Sequence, residues 1–243
     1  MECGRVEPCA ADAETFVNKG ERAMKSMKWV LSLVVVMMVA FASWVWAQDL
    51  SDIALPGPRM EGGKPLMQAL KDRQSTRAFS SEKLPIQVVA DLLWAAAGIN
   101  RADSGKRTAP SAKNWQEVEV YAVTEDGAYL YDAKTNSLKA VAKGDLRKAT
   151  GAQDFVTVAP LNLVYVADIS KMKDATPEDQ ALYSGADTGF ISQNVYLFCA
   201  SEGLATVVHA SVDRKALAEA LKLGESKKIT LAQTVGYPAD EGK

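Results

Sequence analysis

The chain has 243 residues, 48% of them hydrophobic and 24% charged, with 28 basic against 30 acidic side chains and a formal net charge of −2. A balance so near neutral leaves no electrostatic footprint for nucleic acid. Of the three cysteines, Cys3 and Cys9 lie in the N-terminal piece expected to be lost, and Cys199 with the single histidine is too few for a multi-thiolate or histidine-rich metal centre, so the chemistry here requires an organic cofactor, or carboxylates and hydroxyls alone.

In chain order, residues 1–23 are polar and aperiodic and read as an untranslated or disordered leader, with the true start at Met24 or Met27. Residues 24–47 then combine Lys25 and Lys28, an apolar run from Trp29 to Phe41 broken only by Ser32, and a small-residue exit at Val45-Trp46-Ala47. That order describes a secretory signal peptide cleaved after Ala47, and an exported, periplasmic protein. An uncleaved membrane anchor is the competing reading, because Trp29–Ala47 approaches the roughly 20 residues that span a bilayer. The discarded piece carries five residues of each charge sign and two of the cysteines, so the mature chain keeps its net charge and only Cys199.

Residues 48–64 are a plain extension, and 65–243 form one domain. Pro65 opens a short helix to about Arg73. A second helix runs from Pro85 to Ala97, with Ile86, Val89, Leu92, Leu93 and Ala96 on one stripe and Gly98 as its stop. Trp94 belongs with that apolar stripe as a core residue. Arg101–Lys113 is a polar loop long enough to be functional. Val118–Thr124 is a strand, and Tyr129–Tyr131 and Leu138–Val141 form a hairpin about Lys134–Ser137. Leu146–Ala152 reads as a short helix and Leu161–Ala167 as a strand buried on both faces. Lys171–Gln180 reads as a solvated loop, and Thr188–Glu202 as a helix capped by Asp187 and closed by Gly203. Asp213 caps a last helix ending at Leu223, and Ile229–Val235 is the final strand. The fold class is α+β, a mixed, mainly antiparallel sheet flanked by helices.

Two stretches carry chemistry. Arg73-Gln74-Ser75-Thr76-Arg77 places two guanidinium forks and hydroxyl donors where a helix becomes extended, a set suited to a phosphate monoester. A solvated surface cluster has the same composition. Arg107-Thr-Ala-Pro110-Ser111-Ala-Lys-Asn114 ends the polar loop, and Asn114 offers both donor and acceptor to a ring edge. Ordinary turn chemistry also explains that stretch. Cys199, mid-helix among apolar neighbours, reads as a small buried hydrophobe, and His209 as a packing or rim residue. Trp115 shapes either a pocket or a dimer seam.

With Leu92-Leu-Trp-Ala-Ala-Ala-Gly98, Ala159-Pro-Leu-Asn-Leu-Val164, Gly189-Phe-Ile-Ser-Gln-Asn194, Gly203-Leu204 and Val235-Gly-Tyr-Pro238 in this order, the chain from about Met67 to Pro238 resembles the nitroreductase superfamily. The similarity is near the branch of thiazole- and oxazole-forming dehydrogenases. The resemblance implies a non-covalent FMN at the interface of an intertwined homodimer, with NADH or NADPH as donor and a nitroaromatic, quinone or enone as acceptor, in a ping-pong reaction through flavin N5. Arg73, Gln74, Ser75 and Arg77 would hold the phosphate and the N1/C2=O edge. Pro110, Ser111 and Asn114 would touch the partner subunit's flavin, and Gln153 would reach the ring. Val208, His209 and Ala210 fall where the family presents a backbone N–H to N5. No side-chain acid or base is assigned, and no metal. The chain departs from many relatives in ending at Ala239-Asp-Glu-Gly-Lys243 with one basic residue, and in having Ala112-Lys113-Asn114 where the dehydrogenase branch has Ala-Gly. The alternative function is an exported, non-catalytic flavin- or ligand-binding protein of the same fold.

Overall fold

Turn chemistry in the middle of the chain starts the sheet. The computed structural model describes residues 50–239. Strand β4 (Val118–Val123) turns back as β5 (Gly127–Asp132), and β5 returns as β6 (Ser137–Lys143). Asp132 fixes the second turn, accepting from the Lys134 N–H at 2.9 Å and the Thr135 hydroxyl at 2.8 Å, as Asx residues do. The extension ahead of the domain contributes a strand that its composition did not announce. It is β1 (Ile53–Ala54), which pairs with β6. The loop expected over Arg101–Lys113 is likewise structured, because β2 (Ile99–Arg101) and β3 (Lys106–Arg107) close a small hairpin of their own.

Seven strands form the main sheet in the order β1-β6-β5-β4-β7-β9-β8, every neighbour antiparallel. Here β7 is Leu161–Asp168, β8 is Ala205–His209 and β9 is Lys227–Gly236. β7 sits mid-sheet, and its apolar run has a reason on each face. Leu161, Leu163 and Tyr165 join the core under helices α2 (Ile86–Ala97) and α4 (Pro177–Glu202). Val164 and Val166 alternate to the other side and pack with Leu217 of α5 (Arg214–Ala220) and with Leu221. Asp213 caps α5 as expected, accepting from the Ala216 N–H at 3.0 Å. Strand β8 lies at the sheet edge.

Several sequence expectations need correction. The helix expected from Thr188 begins eleven residues earlier, at Pro177, and part of the supposed solvated loop is its first turn. Thr176 caps it through the Asp179 N–H at 3.1 Å, so Asp187 is not a cap but a buried mid-helix carboxylate. The apolar stripe fails there because the buried face of the first half is polar, made of Ser184, Asp187 and Thr188. The helix expected over Leu146–Ala152 is a single 3-10 turn at Arg147–Thr150, followed by the short α3 (Phe155–Val158). Trp94 is half-buried rather than core, its indole N–H reaching the Ile99 carbonyl at 3.3 Å, and Ile86 at the head of the same helix is exposed. The expected signal segment and Lys243 lie outside the described residues.

Candidate functional site

The segment after α1 (Leu66–Asp72) is extended because it runs beside the free edge of β8. The Thr76 N–H donates to the Thr206 carbonyl at 3.0 Å, and Phe79 bridges to Pro238. Alternation then sorts the motif. Gln74, Thr76 and Ala78 line a cavity of about 390 Å³ to which Arg73, Ser75 and Arg77 contribute nothing. Arg73 is half-buried and Arg77 exposed, and neither forms an ion pair among the described residues.

A residue that motif reading missed organises this edge. Tyr196 of α4 is buried, and its hydroxyl accepts the outward N–H of Val208 at 2.9 Å. The same oxygen lies 2.8 Å from the Ser75 hydroxyl, and the Arg73 guanidinium sits 5.3 Å from the centre of its ring. One side chain therefore ties the Arg73–Arg77 segment to β8. Its spacing within α4 looked like ordinary core, and no sequence signal distinguishes it.

The far end of β8 meets the chain after β6. His209 is buried, and its Nε2 is 3.2 Å from the Thr234 hydroxyl. That hydroxyl gives its proton to Asn162 Oδ1 at 2.6 Å, and Asn162 Nδ2 donates to the Val156 carbonyl at 2.7 Å. With the Thr234 proton spent, its oxygen can only accept from His209, so Nε2 carries the ring hydrogen and Nδ1 is a bare acceptor. Burial holds the imidazole below its ordinary pKa, and it is neutral at pH 7. Nδ1 of His209 and Oε1 of Gln153 are both buried without a partner among the described residues. They converge at Gly151, where an added Cβ would stand 2.8 Å from His209 Cε1 and 3.0 Å from Gln153 Oε1. The two side chains crowd the same backbone position, and a buried acceptor left without a donor is costly. The next residues, Ala210 and Ser211, are exposed.

Pro110, Ser111 and Asn114 stand apart from both groups, around a separate cavity of about 410 Å³ shared with Arg101, Lys106 and Arg107. Their loop is strained, with Lys113, Asn114 and Gln116 at φ values of 49°, 56° and 49°. Two buried carboxyls hold it. Asp187 accepts the Ala112 N–H at 2.9 Å, and Glu117 takes the Ser111 hydroxyl at 3.2 Å. Burial, and then the neighbouring Asp187 charge, raise the Glu117 carboxyl from 4.5 to about 7. Trp115 packs edge-on against Tyr183 beneath Lys113. Cys199 is fully buried, and burial pushes its thiol well above the usual range.

Residues 70–237 match the nitroreductase family. The chain belongs to that family. This nitroreductase-family chain is 28% identical over 170 residues to a proposed nitroreductase of Methanocaldococcus jannaschii, covering 66% of this chain and 85% of the relative. A crystal structure of a proposed nitroreductase from Ralstonia eutropha is 41% identical, with a TM-score of 0.76 over 80% of this chain and 93% of that one. A chain of the E. coli microcin synthetase complex, solved with truncated precursor peptide bound, shares the fold at 19% identity, with a TM-score of 0.60 over 83% and 82% of the two chains. Family and fold together point to an oxidoreductase.

Proposed function

We propose that this nitroreductase-family chain is an FMN-dependent oxidoreductase that takes electrons from NADH or NADPH and delivers them to a small nitroaromatic, quinone or enone. In this reading it works as an intertwined homodimer, exported to the periplasm and trimmed after Ala47, and its motifs lie nearest the heterocycle-forming branch. The observation that carries the reading is the junction at Tyr196, which joins an unpaired arginine–serine segment to the edge strand where the family places its flavin. FMN held by Arg73, Ser75 and Arg77 would supply the two-electron redox chemistry of the site. Among the described residues Arg73 and Arg77 have no carboxylate partner, and they suit a phosphate and an electron-rich ring edge. Tyr196 already occupies the Val208 N–H, so the exposed Ala210 is left as the backbone donor toward N5.

Support for the dimer comes from one face of α4. Leu182, Gly185, Ala186, Gly189, Phe190 and Gln193 recur at helical spacing and are all exposed, with Leu182 at 64% and Phe190 at 47%. Leu66, Met67 and Leu70 of α1 are exposed apolar residues as well. Pro110, Ser111 and Asn114, remote from the β8 edge in their own subunit, would then reach the partner's flavin.

The test is a visible spectrum of the purified protein before and after anaerobic NADH and NADPH. A flavin spectrum that bleaches with either donor is the expected result. A colourless protein that takes up no added FMN would overturn the reading.

A further inference from the structure

The small β2–β3 hairpin carries charge beside Pro110, Ser111 and Asn114, the positions assigned above to the partner's flavin, and that assignment does not use it. Arg101, Lys106 and Arg107 line the 410 Å³ cavity beside Asn114. With Lys113 next to it they make four cations, and none forms an ion pair among the described residues. Asp103, within the same hairpin, is exposed and equally unpaired.

Arg107 is the informative member because it is half-buried. Its Nε donates to Gln116 Oε1 at 3.0 Å and its Nη1 to the Ala97 carbonyl at 3.5 Å, both neutral acceptors. Desolvation lowers its pKa, yet a guanidinium cannot shed its proton in a protein. Glu119 and Asp132 oppose that desolvation only through space, and Arg107 makes no ion pair among the described residues, so its guanidinium keeps its charge without a direct anionic partner. Neighbouring dipoles are aligned with the same need. Gln116 Oε1 faces Arg107, so its amide nitrogen must be the donor to Asn114 Oδ1 at 3.1 Å and to the Gly105 carbonyl at 3.1 Å. That fixes Asn114 with its acceptor spent and its Nδ2 donors available. Arg101 folds back to the Arg107 carbonyl, which keeps its guanidinium at the cavity. The cavity wall includes the left-handed residues Asn114 and Gln116, strain of the kind that persists at ligand clamps.

We propose that this cavity is a phosphate subsite in which Arg101, Lys106 and Arg107 receive the phosphate monoester of the nucleotide donor, selecting NADPH over NADH. The nucleotide identity rests on the oxidoreductase reading, whereas the anion site rests on the cavity alone. A 2′-phosphate carries nearly two charges, which match a guanidinium fork and an ammonium better than a ribose hydroxyl does.

Calorimetric titration of the full chain, with and without FMN, tests it using adenosine 2′,5′-bisphosphate, 5′-AMP and inorganic phosphate as probes. The bisphosphate should bind at least about tenfold tighter than 5′-AMP, since one charge-assisted pair is worth about that factor. Lys106→Gln, which breaks no hydrogen bond of the fold, should erase most of that margin, and Arg101→Gln/Lys106→Gln all of it. In turnover, the NADPH-to-NADH ratio of kcat/KM should fall by about the same factor. Equal binding of bisphosphate and 5′-AMP would overturn the subsite, as would a margin indifferent to Lys106→Gln. Inorganic phosphate binding as tightly as the bisphosphate would overturn the nucleotide assignment. Because the probes are titrated without FMN as well, a chain that takes up no flavin yet prefers the bisphosphate would sink the oxidoreductase reading and keep the subsite.

Discussion

Replacing Tyr196 by Phe keeps the ring beneath Arg73 and removes one oxygen. That oxygen satisfies the Val208 N–H at 2.9 Å and stands 2.8 Å from the Ser75 hydroxyl. The variant leaves a part-buried backbone donor unpaired, at a cost of roughly 1–3 kcal/mol, and frees Ser75 from its place beside β8. Fluorescence titration with FMN should show affinity falling about tenfold or more, with Ser75→Ala giving a smaller loss because Val208 keeps its partner. Unchanged affinity in Tyr196→Phe would remove Tyr196 from the site. Arg73, Ser75 and Arg77 could be found in the sequence because charged and hydroxyl side chains at a helix exit advertise themselves. Tyr196 could not, because an aromatic on a helix stripe is what any core requires. Asp187 misled for a related reason. An Asp before a Gly and an apolar run is what a cap looks like, and only the three-dimensional neighbour, the Ala112 N–H, reveals its use.

At the scale of elements, the strained loop over Glu117 and Asp187 makes stability depend on pH. Glu117 is fully buried, with one carboxyl oxygen lacking a partner, and its pKa rises from 4.5 to about 7 on folding. A raised pKa means the folded chain binds more protons than the unfolded chain between those values. The stability due to protonated Glu117 is therefore complete below pH 4.5 and is lost as pH rises through about 7. Glu117→Gln keeps the shape and the Ser111 contact but cannot ionise. Thermal unfolding followed from pH 5 to 8 should show the variant gaining on the wild type by an amount on the order of 1–3 kcal/mol. Parallel curves would show that Glu117 stays ionised, or neutral, throughout. Elements were legible where period and burial agree, as in β4, β7 and α5. They were not legible where polar residues face inward, as in the first half of α4, or where two residues suffice for a strand, as in β1. Strand order was also hidden, because the placement of β7 between β4 and β9 depends on pairings far apart in the chain.

For the whole molecule, one subunit holds the residues proposed to face the flavin in places that do not meet. Arg73, Ser75 and Val208 gather around Tyr196, whereas Pro110, Ser111 and Asn114 line a cavity of their own. A second copy resolves this if the exposed face of α4 is the seam. Gly185 and Gly189 leave open space where a Cβ would stand, and Leu182 and Phe190 flank them, so a partner backbone could approach closely. Leu182→Glu/Phe190→Glu places two charges in that seam and touches nothing in the β8 edge. Sedimentation should show the dimer dissociation constant raised by at least roughly a hundredfold, as for loss of two central anchors. FMN affinity should fall with it and recover at protein concentrations that restore the dimer. That coupling is the decisive part. A variant that becomes monomeric but binds FMN as tightly as the wild type would mean that each subunit completes its own site. Pro110, Ser111 and Asn114 would then have to be reassigned to their own cavity and its basic wall.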